Sequence, residues 1–369
     1  CIAMFNEEQT DEFEFKRYQL GANFESDLLE CPQVNKLNYR DILKASNLYG
    51  NNQWVFFDTS QGYEIFEKIY LQTSSIEKKF EDVFQGIATS RDSLYVSKKI
   101  NETKDNFLIR INPDEKIMKP TIQTQEMWVE KKFFRPFLMG RDVHRYKTLE
   151  TERLVFYPYH KNGDLAPIVR KAELKRDYPL TYAYVTTYRD SFSERESGKA
   201  LDLVEFYAYI YPKNLSKFDQ DKLVSMEICS VHPNITIDRA NIYHNTKVYS
   251  LVKHSNTSES YEYFSGILNS KLFWWFLMLT GDTLQHDSRT IKTNYIKPFP
   301  LPQKVSAADE NKISSLVKKL ISNKSQGSNT GQIQILEDQI NDAVFDLYDL
   351  NKGDIAMIES VLKPDLSIG

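Results

Sequence analysis

One short segment of the chain concentrates basic and aromatic side chains. Residues 131–147 hold six lysines and arginines against a single acid, Asp142. Both types bind phosphate as charges, and an arginine fork also matches guanine O6 and N7. Gly140 predicts a turn that presents Arg141 outward, and Arg145 follows four residues later. The pattern predicts DNA contacts at both arginines, although a surface loop with a local Arg141–Asp142 pair has the same composition.

A second segment, residues 84–96, places Thr89, Ser90 and Arg91 between two apolar runs. Small hydroxyl residues beside an arginine are typical of a hairpin that enters a DNA groove. They are equally typical of any polar turn, so both interpretations stay open. We include all three residues among the candidate DNA contacts.

Two further basic positions complete the candidate set. Arg289 and Lys292 lie in a polar stretch directly after an apolar run, and Lys213 follows an aromatic run at 206–211. We expect the loops around 91, 141 and 289 to converge on one concave face wide enough for a duplex.

Searches for a catalytic site give no complete match. Adenine-N6 methyltransferases use an Asn/Asp-Pro-Pro-aromatic loop for the flipped base, and residues 112–114 and 233–234 break that pattern. Isolated glycines provide no phosphate or S-adenosylmethionine loop. Residues 77–79 and 114–116 combine carboxylates with lysines, as the site of a metal-dependent nuclease does, but they are more typical of charged surface exposed to solvent. We predict no catalytic residue, no metal site and no cofactor site in this chain.

Composition indicates a soluble protein. Hydrophobic residues are 41% and charged residues 27% of the 369, and three cysteines far apart suit a reducing cytoplasm. The longest apolar run, 272–279, is much shorter than the roughly 20 residues of a membrane span. We therefore expect no membrane partner and a cytoplasmic location.

Charge divides the chain into three parts. Residues 1–72 hold 6 basic and 12 acidic residues, 73–303 hold 34 and 29, and 304–369 hold 7 and 10. A modestly basic middle between acidic flanks suits a DNA-facing unit. We place domain boundaries at these positions.

Apolar periodicity predicts an α+β fold, with a β-rich middle and helices after it. Short β-branched and aromatic runs predict strands near 154–159, 206–211, 235–237 and 247–252. An apolar stretch at 261–279 predicts a core helix. After a proline cluster at 298–302, two amphipathic stripes predict a C-terminal antiparallel helical pair.

These segments in order resemble the TaqI-like C-terminal specificity domain of Type IIG restriction–modification enzymes and adenine-N6 DNA methyltransferases. The resemblance runs from about residue 73 to the C-terminus and rests on these segments: FQGIATSRDSLYV at 84–96, FFRPFLMGRDVHRY at 133–146, LVFYPY at 154–159, YPLTYAYV at 178–185, FYAYIYPKNL at 206–215, YFSGILNSKLFWWFLMLTGDT at 263–283, NYIKPFPLP at 294–302 and ILEDQINDAVFDLYDLNKGDIAMIE at 335–359. Tyr211 and residues 285–287 depart from the family, which often has arginine and a glycine-rich turn there.

The resemblance implies sequence-specific recognition of double-stranded DNA. It assigns residues 73–303 to the target-recognition domain, 304–369 to a helical tail, and 1–72 to the end of an upstream methyltransferase domain and its connector. Since the chain begins at Cys1, we expect it to be a piece of a longer polypeptide. That parent would use S-adenosylmethionine, and Mg²⁺ where a nuclease is present. An alternative is a protein-interaction scaffold whose tail docks a separate methyltransferase subunit.

Overall fold

The computed structural model describes residues 12–15, 35–50, 53–57, 59–71, 73–111 and 125–362. Cys1, Cys31 and residues 112–116 lie outside these ranges. The strands are β1 Glu12–Phe15, β2 Asn35–Asn38, β3 Thr73–Ser75, β4 Phe80–Gln85, β5 Val96–Glu102, β6 Asn106–Ile111, β7 Gln125–Glu130, β8 Phe134–Leu138, β9 Arg153–Phe156, β10 Lys222–Met226, β11 Ile228–Cys229, β12 Ile235–Asp238, β13 Tyr243–His244, β14 Val248–Lys253, β15 Arg289–Thr290 and β16 Pro300–Pro302.

Helices lie at both ends of the chain and between the strands. They are α1 Tyr39–Tyr49, α2 Ser60–Tyr70, α3 Asp92–Tyr95, α4 Lys171–Asp177, α5 Pro179–Thr187, α6 Arg189–Ser193, α7 Arg195–Gly198, α8 Tyr261–Leu268, α9 Lys271–Thr280, α10 Thr293–Ile296, α11 Ala307–Ser325, α12 Thr330–Leu347 and α13 Lys352–Val361. The α+β prediction is confirmed. No helix in these ranges is both long and apolar enough to cross a membrane.

Two sheets form the middle of the molecule. One has six strands in the order β13-β8-β9-β5-β6-β7, and the other has four in the order β12-β10-β14-β4. Every neighbouring pair in both sheets is antiparallel except β13 with β8. The predicted strands near 154, 235 and 247 are therefore β9, β12 and β14.

The segment between β4 and β5 passes from the four-stranded to the six-stranded sheet. The hairpin, one of the two interpretations left open for residues 84–96, is therefore excluded, because β4 and β5 belong to different sheets. Gly86 stands at the crossing, where a Cβ atom would lie 2.2 Å from the carbonyl oxygen of His244. Only glycine allows this close approach of two backbones.

The strand predicted at 206–211 is also wrong. Tyr207 and Tyr209 are fully buried in irregular backbone, and their hydroxyls donate to Val169 O at 2.7 Å and Phe156 O at 2.6 Å. Side-chain hydrogen bonds to carbonyl oxygens hold this segment without a strand ladder. Apolar alternation alone could not distinguish the two arrangements.

The apolar stretch at 261–279 forms two helices, α8 and α9, rather than the single predicted helix. The Ser270 hydroxyl caps α9 by accepting from Phe273 N at 3.2 Å. Asn269, also buried, accepts from Ile235 N at 3.0 Å and donates to Ile235 O at 2.8 Å. The break therefore lets a polar side chain attach the helices to β12.

The C-terminal helical pair is α11 and α12, and a third helix that we did not predict, α13, follows them. Their apolar faces join α8, α9 and buried side chains between Ala45 and Phe80 in one hydrophobic core. A second core lies between the six-stranded sheet and the segment 169–218. The first core spans the predicted boundaries at 72 and 303, which stay predictions.

Candidate nucleic-acid interface

The backbone of residues 243–248 brings several of the predicted segments together. Ile87 N donates to His244 O at 2.8 Å, which places the segment after β4 beside β13. On the other side, Asn245 N donates to Leu138 O at 3.1 Å, just before the turn that carries Arg141. The segments around 91 and 141 are thus attached to the same stretch of chain.

Further hydrogen bonds extend this arrangement in both directions. Asn214 Nδ2 donates to Gln85 O at 3.0 Å, next to Lys213. Glu227 N donates to Lys247 O at 2.9 Å, and Ile291 N donates to Glu227 O at 2.6 Å. We call the set of segments 85–91, 139–142, 211–214, 226–230, 244–248 and 289–292 the loop edge.

A neutral histidine fixes the loop edge from inside. His244 is fully buried, and its Nε2 lies 2.6 Å from Ser250 Oγ. Burial, with a smaller contribution from nearby Lys222, lowers the pKa of His244 to about 3. The imidazole is therefore uncharged at neutral pH and serves as packing at the crossing of the chain.

A groove of about 300 Å³ opens on the loop edge between the Gly140 turn and β11. Its lining residues are Met139, Gly140, Arg141, Met226, Glu227, Ile228, Asn245 and Lys247. Arg141 is exposed, as the glycine turn predicts, and Ile228 is 42% exposed. The Asp142 carboxylate accepts two hydrogen bonds, at 2.9 and 2.8 Å, from Arg153 Nη1. We call this cavity the recognition groove.

Lys247 lies at the recognition groove and was not among the predicted site residues. Its ammonium is 2.9 Å from Glu227 Oε2, with the lysine side chain 61% exposed and the glutamate side chain 9% exposed. The sequence around Lys247 holds no basic cluster, so composition could not mark it. Only the turn between β13 and β14 brings it beside Arg141.

Arg145 does not accompany Arg141 to the recognition groove. Its guanidinium binds the Glu337 carboxylate on α12, and only 15% of its side chain is exposed. Lys324 Nζ lies 3.0 Å from the same carboxylate. Because α11 and α12 carry these partners, the three side chains attach the strand-rich middle to the C-terminal helices. We call them the junction cluster.

Arg289 is on the loop edge by its backbone, but its side chain turns inward. It is only 5% exposed, and Nη1 donates to Asp287 O at 2.8 Å while Nη2 donates to Met278 O at 3.4 Å. A cation beside the last turn of α9 favourably meets the helix dipole. The segments around 91, 141 and 289 are linked through residues 244–248 and Glu227, but the Arg289 guanidinium is held within the chain. That these loops form one concave face wide enough for a duplex stays a prediction.

The three residues predicted at 89–91 are also engaged within the chain. Thr89 is 3% exposed and its hydroxyl binds the Asp92 carboxylate. Ser90 has a φ of 61°, in the left-handed region. Arg91 Nη1 donates to Ser191 O at 3.0 Å in α6. These contacts fit a fixed polar turn, the second interpretation of this segment.

Lys213 and Lys292 differ in exposure. Lys213 is exposed, and no side-chain hydrogen bond or ion pair is found for it among the described residues. Lys292 is half-buried at the start of α10, in a separate cavity with Tyr249 and Lys297. Both positions remain predicted DNA contacts. In the part of the chain that the structure describes, no group of three acidic, histidine or cysteine side chains could hold a metal ion.

Comparison with known proteins identifies the central region. Residues 135–301 match the TaqI-like C-terminal specificity domain. The chain is also 24% identical over 328 residues to the Type II restriction enzyme and methyltransferase RM.Eco57I of Escherichia coli. That alignment covers 82% of this chain and 30% of the relative.

Two solved structures are similar at low identity. The Type IIL restriction–modification enzyme MmeI in complex with DNA is 14% identical, with a TM-score of 0.46 over 76% of this chain and 34% of that chain. The type IIG restriction endonuclease BpuSI is 12% identical, with a TM-score of 0.42 over 86% and 36%. The chain therefore spans about a third of the length of these relatives.

Proposed function

We propose, from the premise that residues 135–301 are a TaqI-like C-terminal specificity domain, that this chain recognises a specific double-stranded DNA sequence. It would do so for a larger restriction–modification protein that methylates adenine at N6. The chain itself would position DNA and leave the chemistry to another domain.

One observation carries the proposal beyond the family match. Arg141 is exposed at a groove whose other walls come from distant parts of the chain. A groove with a cation at its edge and apolar side chains along it suits a base edge, where arginine matches guanine acceptors and apolar groups meet the thymine methyl. Exposed Lys213 on the same loop edge suits phosphate.

The larger protein would supply the methyl-transfer chemistry that we place outside this chain. A methyltransferase domain upstream would bind S-adenosylmethionine and flip the target adenine, and any nuclease there would use Mg²⁺. Residues 1–72 would be the end of that domain and its connector, 73–303 the recognition domain and 304–369 the helical tail. The predicted cytoplasmic location is where such a protein meets DNA.

The test compares two arginine variants. A cognate duplex is first selected from a random pool with the wild-type chain, and affinities for this duplex and a scrambled one are then measured. Arg141→Ala should lose about 1–3 kcal/mol of discrimination if a base contact is removed. Arg176→Ala, which removes an exposed arginine paired with Asp177 on α4, should change neither affinity.

Equal, unchanged affinities for both duplexes would remove Arg141 from the interface. A wild-type chain that enriches no sequence from the pool would contradict recognition itself. Binding should also weaken steeply as salt rises, since phosphate contacts release counterions.

The scaffold hypothesis has less support in the structure. The apolar stripes that define the tail helices, including Ile313, Leu320 and Ile340, are buried against the rest of this chain. They are therefore occupied before any partner arrives. Partner binding that persists in high salt and requires residues 304–369 would favour the scaffold role.

A further inference from the structure

We propose that Lys247, held in place by Glu227, contacts a guanine edge in the recognition groove and helps to determine the DNA sequence. The proposal deepens the recognition function and rests on it. It adds a specificity-determining residue on a turn that no sequence motif marks.

The position of Lys247 is fixed twice. Its carbonyl oxygen accepts from Glu227 N at 2.9 Å, and its ammonium binds the Glu227 carboxylate at 2.9 Å. Glu227 is itself anchored, because its carbonyl oxygen accepts from Ile291 N at 2.6 Å. Gly140 lets the turn of Arg141 approach, since a Cβ there would lie 3.0 Å from Lys247 Cβ. The lysine is thus more restrained than an ordinary surface lysine.

The hydrogen-bond capacity of the ammonium fits two neighbouring acceptors. An ammonium has three N–H donors, and within the described chain Lys247 Nζ uses one, for Glu227. Two donors remain at the exposed end of the side chain. Guanine presents O6 and N7 side by side in the major groove, the acceptor pair that a lysine can bind.

The surroundings favour a base over a phosphate. A carboxylate 2.9 Å from the ammonium repels a phosphate that approaches the same site. A neutral base edge is not repelled in this way. Met139, Met226 and Ile228 line the groove with apolar surface, which suits an aromatic base better than a hydrated anion.

The experiment uses duplexes in which every guanine is replaced by 7-deazaguanine, which removes only the N7 acceptor. Wild-type binding to the selected cognate duplex should weaken about tenfold on this replacement. Lys247→Met keeps the alkyl chain and removes the charge, so its affinity should change clearly less on replacement. Lys175→Met, an exposed lysine of α4, is the matched control and should keep the wild-type loss.

Glu227→Gln tests the positioning role. This change keeps a hydrogen-bond acceptor at position 227 but removes the negative charge that holds the Lys247 ammonium. The preference for guanine should therefore weaken, while binding to the scrambled duplex should strengthen because the ammonium can reach phosphate. The proposal is overturned if the wild type is indifferent to 7-deazaguanine, or if Lys247→Met suffers the same loss as the wild type. It is also overturned if Lys247→Met weakens cognate and scrambled binding equally, as a phosphate contact would. If the wild type binds no DNA at all, the proposed recognition function itself is contradicted.

Discussion

Two ion-pair sites in this molecule use the same chemistry with opposite exposure. At the junction cluster, Arg145, Glu337 and Lys324 have only 15%, 7% and 20% of their side chains exposed. At the recognition groove, Glu227 is as buried as Glu337, but its partner Lys247 is 61% exposed. The buried Glu337 carboxylate therefore binds cations that are themselves mostly buried, whereas the buried Glu227 carboxylate binds a lysine that is mostly exposed to solvent. The exposure of the cation, not its residue type, distinguishes the buried junction cluster from the ion pair at the recognition groove.

The largest expected effect is on the junction cluster. Glu337→Ala leaves Arg145 and Lys324 without their shared carboxylate at a mostly buried position. Breaking such a pair costs several kcal/mol when burial is complete, and partial exposure reduces this to about 2–3 kcal/mol. Urea unfolding followed by circular dichroism measures the loss. Glu227→Ala is the matched variant and should cost less than about 1 kcal/mol, because water can solvate Lys247. Equal losses would remove the contrast between the two sites.

The second prediction concerns the pH dependence of the loop edge. The pKa of His244 is about 3 in the folded protein, because burial disfavours the charged ring, against 6.5 for an ordinary histidine. Between pH 3 and 6.5, His244 is therefore protonated in the unfolded chain but not in the folded chain. The contribution of His244 to the free energy of unfolding should be fully present above pH 6.5. It should fall by about 1.4 kcal/mol per pH unit as the pH drops from 6.5 towards 3.

Comparison with a variant isolates this contribution from the other titrating groups. His244→Gln should show a shallower fall of the free energy of unfolding between pH 6.5 and 4.5. If the wild type and the variant have the same slope, His244 is charged or hydrated in the folded protein, and the loop edge is not held by a neutral core.

The smallest expected effect is the change in protein stability when the exposed cations of the recognition groove are replaced. Lys247→Met removes a mostly exposed ammonium and should change the free energy of unfolding by less than about 0.5 kcal/mol. Arg141→Ala should be equally mild. Thermal unfolding of both variants checks this, and a loss above about 2 kcal/mol would show that these cations serve the fold rather than DNA.

The sequence predicted the architecture better than the side-chain directions. Hydrophobic periodicity located α11 and α12, because each buries one face, and β-branched and aromatic runs located β9, β12 and β14, which are buried at nearly every position. It failed at Tyr207 and Tyr209, where hydroxyl–carbonyl bonds replace a strand ladder. It also failed at Asn269, whose buried side chain splits one apolar stretch into two helices.

The candidate site could be predicted only in part, for a related reason. Gly140 correctly indicated an exposed Arg141, since a turn is a local property. Arg145 turns inward because it pairs with Glu337, which is distant in sequence. Arg289 turns inward because it donates to carbonyl oxygens that include Met278 O in α9. Lys247 was missed because its importance comes from Glu227 and Gly140, and no local pattern shows such neighbours.

The ratio of affinities for the selected and scrambled duplexes, measured for the wild type and Arg141→Ala at one salt concentration, tests sequence-specific recognition itself. Site-specific recognition predicts a wild-type ratio on the order of 10³ or more. In Arg141→Ala the ratio should fall by about tenfold to a hundredfold with stability intact. A wild-type ratio near one would contradict the proposed function.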